Sequence, residues 1–307
     1  MVYMERGLGC KPLAVAFAVC CLGASFGMGN MCREIRMAVG LEKAFHVPAF
    51  LSGSLCMIVV AVVLTGGMKR IAIFTERLVP VMAAIYLAGA MLVLFFYRDR
   101  IAGAFALIFQ EAFRSSAAVG GVAGYSMKQA VRMGIARGIF SNEAGLGSSV
   151  MAHAQSDVED PKVQGMWGIL EVFIDTVLVC TITALVILVS QVPYWQAGEI
   201  DGTTLTGMAF ASVIPWGKEF LAGATALFAF ATMIGWFYFG AQTADYLAGE
   251  KGVKVYRFCY ILITLPGCMI APTMIWELSD ALNGMMAVPN LLALFFLGKE
   301  VAYVGKK

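Results

Sequence analysis

The chain has 307 residues, 60% of them apolar and 14% charged, with a formal net charge of +2. An ordinary soluble domain carries about 25% charged residues, and a soluble fold of this length could not bury so much apolar surface, so that class is excluded. A net charge this small, with Lys and Arg scattered between apolar runs, also excludes nucleic acid as a partner.

A helix needs about 20 apolar residues to cross about 30 Å of hydrocarbon. In chain order, runs at 12–32, 47–68, 78–97, 176–198 and 220–244 predict spanning helices free of Asp, Glu, Lys and Arg, and shorter runs at 258–276 and 281–298 add two more. The first run is long enough to span and is followed by no small-residue cleavage site, which predicts that no signal is removed. The segment IAGAFALIFQEAFR, residues 101–114, has apolar residues at helical spacing but is too short to span, so it is expected to lie along the membrane surface or to plug a loop.

The segment 117–152 is different. It contains Lys128, Arg132, Arg137 and Glu143 and is crowded with glycine at 120, 121, 124, 134, 138, 145 and 147. The expectation is an all-α integral membrane protein of about eight spans, one of them broken, plus one interfacial helix. No Ser/Pro-rich linker divides the chain and the longest polar stretch, 191–218, is loop-sized, so residues 1–307 read as a single membrane domain.

In the second half, Lys162, Lys251, Lys254, Arg257, Lys299, Lys306 and Lys307 fall on one side of the predicted topology, against Lys218 on the other. Cytoplasmic loops carry the basic excess, so this bias predicts a multi-pass protein of the cell membrane with both ends cytoplasmic; the first half leans slightly the other way. Of the eight cysteines, Cys20, Cys21, Cys56, Cys180, Cys259 and Cys268 lie inside apolar runs without the CxxC spacing of a zinc or redox site, and read as small packing residues. His46 and His153 lack the neighbours of a metal site or triad, and no HExxH, GxSxG or Walker-type string is present, so neither an enzyme nor a cofactor is expected.

The string ARGIFSNEAGLGSS, residues 136–149, carries the most chemistry. Charged groups at membrane depth must face protein or a wetted cavity, which points Arg137 and Glu143 toward function. Gly138, Gly145 and Gly147 flank Ser141, Asn142 and Glu143, with Ser148 beyond, and such a stretch is expected to unwind. Unwound backbone in a bilayer survives only where protein or a cavity satisfies its polar groups. In transporters such a break presents amides to a carboxylate and carbonyls to a cation such as sodium. The other reading is packing: Gly134 and Gly138 form a small-xxx-small pair, and Asn142 or Glu143 would be glue between helices.

Three further places stand out. In FATMIGWFYFG, residues 230–240, Thr232 and Trp236 are four apart and share a helix face, as pocket-lining residues or, alternatively, with Trp236 packing and Thr232 bonded to its own helix carbonyl. In SFGMGNM, residues 25–31, two glycines and Asn30 read first as helix packing. Asp175 is a further carboxylate in an apolar run, either paired with Arg137 or a structural acceptor.

The string ARGIFSNEAGLGSSVMAHA resembles the central motif of the alanine or glycine:cation symporter family, the sodium:alanine symporters. The resemblance continues through EVFIDTVLVCTITALVIL at 171–188, LTGMAF at 205–210, FATMIGW at 230–236 and NGMMAVPNLLAL at 283–294, and back to SFGMGNM and GGMKRIAIFTERLVP at 66–80. It implies a leucine-transporter-like bundle of two inverted repeats, with residues 1–114 the remainder of the first repeat plus the interfacial helix and 115–307 the second. It also implies about three family spans before Met1, including the first repeat's broken helix. The implied function is secondary active transport of a small neutral amino acid, alanine or glycine, coupled to sodium; the alternative is a truncated or split-gene membrane subunit that does not transport alone and pairs with a separate N-terminal fragment.

By the same resemblance, Phe26, Asn142, Glu143, Gly145, Thr232 and Trp236 are substrate-pocket positions. Phe228, Ala231 and Thr232 are cation-site candidates, the first two through backbone carbonyls. Gly138, Ser141, Gly147 and Ser148 complete the broken-helix motif. Sodium is expected as a transported ion, and the bilayer as the surrounding medium. The sequence departs from the family pattern at Arg33 and Ile35, where Gln and Asn are usual, and at Ala231, Phe237 and Ala241, where Ser, Ser and Glu are common.

Overall fold

The computed structural model describes residues 1–112, 121–143, 145–193, 202–270 and 272–304. Every regular element among them is a helix. A short α1, Val2–Arg6, leads to α2, Lys11–Phe26, with Pro12 in its first turn, where a missing N–H costs nothing. α2 passes through a wide π-helical turn, Gly27–Met31, straight into α3, Cys32–Phe45, giving one run of 35 residues. The expected span at 12–32 therefore continues past the polar residues Arg33, Glu34 and Arg36 and ends only where His46 turns left-handed (φ 55°).

α4, Ala49–Thr65, follows Pro48, and α5, Met68–Phe96, carries Pro80 inside it. α6, Arg98–Ala112, is the helix anticipated at 101–114; Phe113 and Arg114 lie outside the described residues, as do 117–120 of the segment anticipated at 117–152. α7, Gly121–Asn142, stops at a break before the five-residue α8, Ser149–His153. α9, Pro161–Val172, runs through a second π-helical stretch, Phe173–Val179, into α10, Cys180–Val189. The span expected at 176–198 thus begins earlier, at a proline, and its tail from 194 onward lies outside the described residues.

α11, Gly202–Ala211, and α12, Gly217–Gly267, come next. α12 holds two of the anticipated runs, 220–244 and the start of 258–276, joined across a kink at Gly249 (φ 64°, ψ −160°). Its second part stops at Gly267 rather than continuing to 276, and α13, Pro272–Val304, starts at the next proline. Five helical runs are long and apolar enough to cross a bilayer among the described residues: Lys11–Phe45, Thr75–Phe96, Pro161–Val189, Gly217–Gly267 and Thr273–Gly298, with Ala49–Thr65 shorter. Large apolar side chains face outward along them, Ile169 at 73% exposure and Phe295 at 80%. A surface of that kind is stable against lipid, and the chain is a multi-pass membrane protein.

The chain forms two compact units. The first comprises Met1–Val81, Glu143–Ile169 and Thr225–Lys307. Its core joins α3, α4 and α12, with Val60, Leu64, Met233, Ile234, Phe237 and Tyr260 buried together. Phe237 stacks on Tyr256 at 5.5 Å and meets Tyr260 edge-on at 5.4 Å, and both tyrosine hydroxyls find partners, Tyr256 on the Ser25 hydroxyl and Tyr260 on the Met233 carbonyl. The second comprises Met82–Asn142 and Leu170–Ala224. There Phe210 lies between Tyr86 and Phe220, with ring centroids 5.7 and 5.6 Å away, and Tyr86 shares a 2.6 Å hydrogen bond with Thr183.

Candidate functional site

The break in α7 falls in the predicted string. α7 ends at Asn142, Glu143 adopts a left-handed backbone (φ 55°), and Gly145 (φ 77°) and Gly147 (φ 88°) follow in the same region. The glycines reach it freely, whereas a side-chain-bearing residue there costs on the order of 1 to 3 kcal/mol and persists only where its surroundings hold it. Glu143 is so held. Its Oε1 accepts the Trp236 indole N–H at 2.7 Å and its Oε2 accepts the Ser148 hydroxyl at 2.5 Å, while its own carbonyl takes the Leu146 amide at 3.1 Å.

The segment after the break is fastened from two more sides of the same unit. The Asn290 amide of α13 donates to the Gly145 carbonyl at 2.9 Å, and Tyr3 of α1 donates its phenol to the Asn290 side-chain oxygen. Burial pushes the Tyr3 phenol up to about 12, so it remains a donor at any physiological pH. Gly147 is required by space as well as by conformation: a Cβ there would stand 2.8 Å from the Asn290 amide and 2.9 Å from the Phe17 ring.

The residues before the break belong to the other unit and are bonded within it. Ser141 donates to Asp175 Oδ2 at 2.6 Å and Asn142 donates to the Thr176 hydroxyl at 3.2 Å. Asp175 and Thr176 sit in the second π-helical stretch, a feature that recurs at functional sites within α-helices. Of the two roles open to Asp175, pairing with Arg137 or accepting a structural hydrogen bond, the structure shows it as the acceptor from Ser141, and the Arg137 guanidinium lies over the Phe140 ring at 5.1 Å. A Cβ at Gly134 or Gly138 would meet no described atom of its own unit within 4 Å, so neither glycine marks a close helix approach there.

Trp236 is 1% exposed and packs over Gly29 of the first π-helical turn, where a Cβ would stand 2.5 Å from its own Cβ. One turn earlier on α12, Thr232 donates its hydroxyl to the Phe228 carbonyl at 2.8 Å, so these two candidates are engaged with each other; Ala231 is buried beside them in continuous helix. Phe26 joins the aromatic cluster, 5.3 Å from Tyr256 and 6.1 Å from Tyr260. The structure therefore gathers Glu143, Gly145, Gly147, Ser148 and Trp236, places Ser141 and Asn142 with Asp175 and Thr176, and leaves Thr232, Phe228 and Phe26 in separate contacts. Sequence reasoning missed Tyr3, Thr176 and Asn290; for Asn290 the signal was an amide inside an apolar run, NGMMAVPNLLAL.

The sequence profile of the sodium:alanine symporter family matches residues 1–307. The chain is 36% identical over 304 residues to a transporter of Haemophilus influenzae, covering 98% of this chain and 66% of that protein. It is 36% identical over 298 residues to the sodium/alanine symporter AgcS of Methanococcus maripaludis, covering 97% and 65%, and 35% identical over 302 residues to the probable sodium/glutamine symporter GlnT of Bacillus subtilis, covering 97% and 62%. It spans just under two thirds of the length of these relatives.

Proposed function

This chain belongs to the sodium:alanine symporter family, and we propose that it carries a small neutral amino acid, alanine or glycine, across the cell membrane together with sodium. The family consists of transporters, so no bond of the solute is made or broken. The observation that carries the reading is the clasp of Trp236 and Ser148 on Glu143, which holds a left-handed break within a helix of a membrane protein. Backbone that lies outside regular helix at 145–148 would offer amides to the carboxylate of a zwitterion and carbonyls to a cation. With both its oxygens engaged, Glu143 acts by shaping that backbone; Trp236, Gly145, Phe26 and Thr232 are the proposed substrate positions of the first unit and Asn142 that of the second. The carbonyls of Phe228 and Ala231, with Thr232, are the proposed sodium ligands.

In this reading residues 1–307 form one transporter domain with both ends cytoplasmic, and the break opens its second repeat. Binding of both solutes favours the occluded state more than either alone, and a tenfold coupling corresponds to about 1.4 kcal/mol. Uptake of labelled alanine into vesicles under an imposed sodium gradient tests the reading, with glutamine as competitor because one relative bears that name. Sodium-dependent alanine uptake that glutamine leaves unaffected is expected; uptake indifferent to the gradient would overturn symport. Running the chain alone and together with the N-terminal part of a relative separates a self-sufficient carrier from a subunit that needs a partner fragment.

Asn142→Leu and Gly145→Leu are expected to abolish that uptake while leaving membrane insertion intact, because each fills the break without making any span more polar. Unchanged uptake would return both residues to packing.

A further inference from the structure

α3 buries a carboxyl that plays no part in the break. Glu34 is 0% exposed, and neither side-chain oxygen meets an N–H or O–H donor among the described residues. Two small residues line the notch that receives it. A Cβ at Gly53 of α4 would stand 3.3 Å from Oε1 and 2.6 Å from the Cys268 sulfur, and one at Gly267, the last residue of α12, would stand 3.6 Å from the Glu34 Cβ. A larger side chain at Gly53 would press on Oε1 and on the Cys268 sulfur, and one at Gly267 would press on the Met31 backbone beside it, 3.3 Å from the added Cβ.

The titratable groups that face Glu34 are two thiols, Cys56 on α4 and Cys268 in the turn after α12. No described cation reaches it. Arg33 and Arg36 belong to α3 itself; Arg36 lies over the Trp276 ring of α13 at 4.4 Å, and Asp280 of α13 faces Cys32. From α12, the Tyr260 hydroxyl is committed to the Met233 carbonyl at 2.7 Å. The carboxyl-terminal end of α12, the negative end of its helix dipole, lies at the same notch. A carboxylate shut away from water with neither a cation nor an amide is so costly that such groups keep their proton.

We propose that Glu34 is a proton-binding site, neutral while α3, α4 and the turn after α12 are packed and charged when that packing opens to water. On opening, the O–H bond breaks, its electron pair stays on the carboxylate, and the proton passes to a water molecule; on closing the carboxylate takes a proton back. The inference rests on packing within one unit and holds whichever solute the protein carries.

Infrared spectroscopy of the purified full chain in lipid bilayers at neutral pH tests it without any transport assay. The wild type should show a protonated-carboxyl band that is lost in Glu34→Gln. Coincident spectra in that region would overturn the proposal. Should Glu34→Gln fail to fold, Cys56→Ser keeps the carboxyl and replaces the facing thiol by a stronger hydrogen-bond donor, which should move the same band to lower frequency; a band that stays in place would equally overturn it.

Discussion

Replacing Trp236 with Phe is expected to lower the stability of the protein by about 3 kcal/mol and to cut uptake at least tenfold. Phenylalanine keeps most of the ring contact over Gly29 but removes the N–H that reaches Glu143 Oε1 at 2.7 Å. The charged acceptor keeps Ser148 but loses the indole N–H, and a charged group deprived of one partner loses more than a neutral one. Glu143→Gln keeps the shape and one accepting oxygen, so it should cost less, about 1 kcal/mol. The double variant should cost clearly less than the sum of the two, because the second change removes a contact already lost. Thermal unfolding of the four proteins, followed by tryptophan-independent light scattering, reads the cycle; strictly additive losses would show that the clasp does not couple the two residues.

Gly147→Ala should be the more damaging of two matched glycine changes. Gly145 and Gly147 both hold left-handed backbone, so alanine at either site carries a conformational cost of roughly 1 kcal/mol. Their surroundings differ. Among the described residues a Cβ at Gly145 meets only the Leu291 side chain, at 3.4 Å, whereas one at Gly147 meets the Asn290 amide at 2.8 Å and the Phe17 ring at 2.9 Å. Asn290 cannot retreat without releasing the Gly145 carbonyl and Tyr3. The alanine at 147 is therefore expected to lose about 1 to 3 kcal/mol more than the alanine at 145, measured by the same unfolding assay. Equal losses would mean that backbone conformation alone fixes these glycines.

What the sequence made legible follows from the bilayer. The thickness of the hydrocarbon sets the length of an apolar run, so the helices at 47–68, 78–97 and 281–298 could be located by counting. The break was legible too, since glycines around a Ser-Asn-Glu string leave few alternatives at membrane depth. The joining of α2 to α3 was not. Arg33, Glu34 and Arg36 read as the polar end of a span, yet the helix runs on through them because it packs against α4 and α13. Nor could the partners of the break be read: Glu143 and Trp236 are 93 positions apart, and Gly145 and Asn290 are 145 apart, separations that no local pattern encodes. Thr232 shows a different limit, because a hydroxyl facing a pocket and one bonded to the carbonyl four residues back have the same sequence signature.

The two π-helical stretches, Gly27–Met31 and Phe173–Val179, give their helices a property that straight ones lack. Each holds one residue more than a regular turn needs. That surplus swivels every residue beyond it by about 100° about the axis relative to a straight helix. The wide turn thus decides which residue lies beneath Trp236, the side-chain-free Gly29, and which lies beneath Ser141, the carboxylate of Asp175.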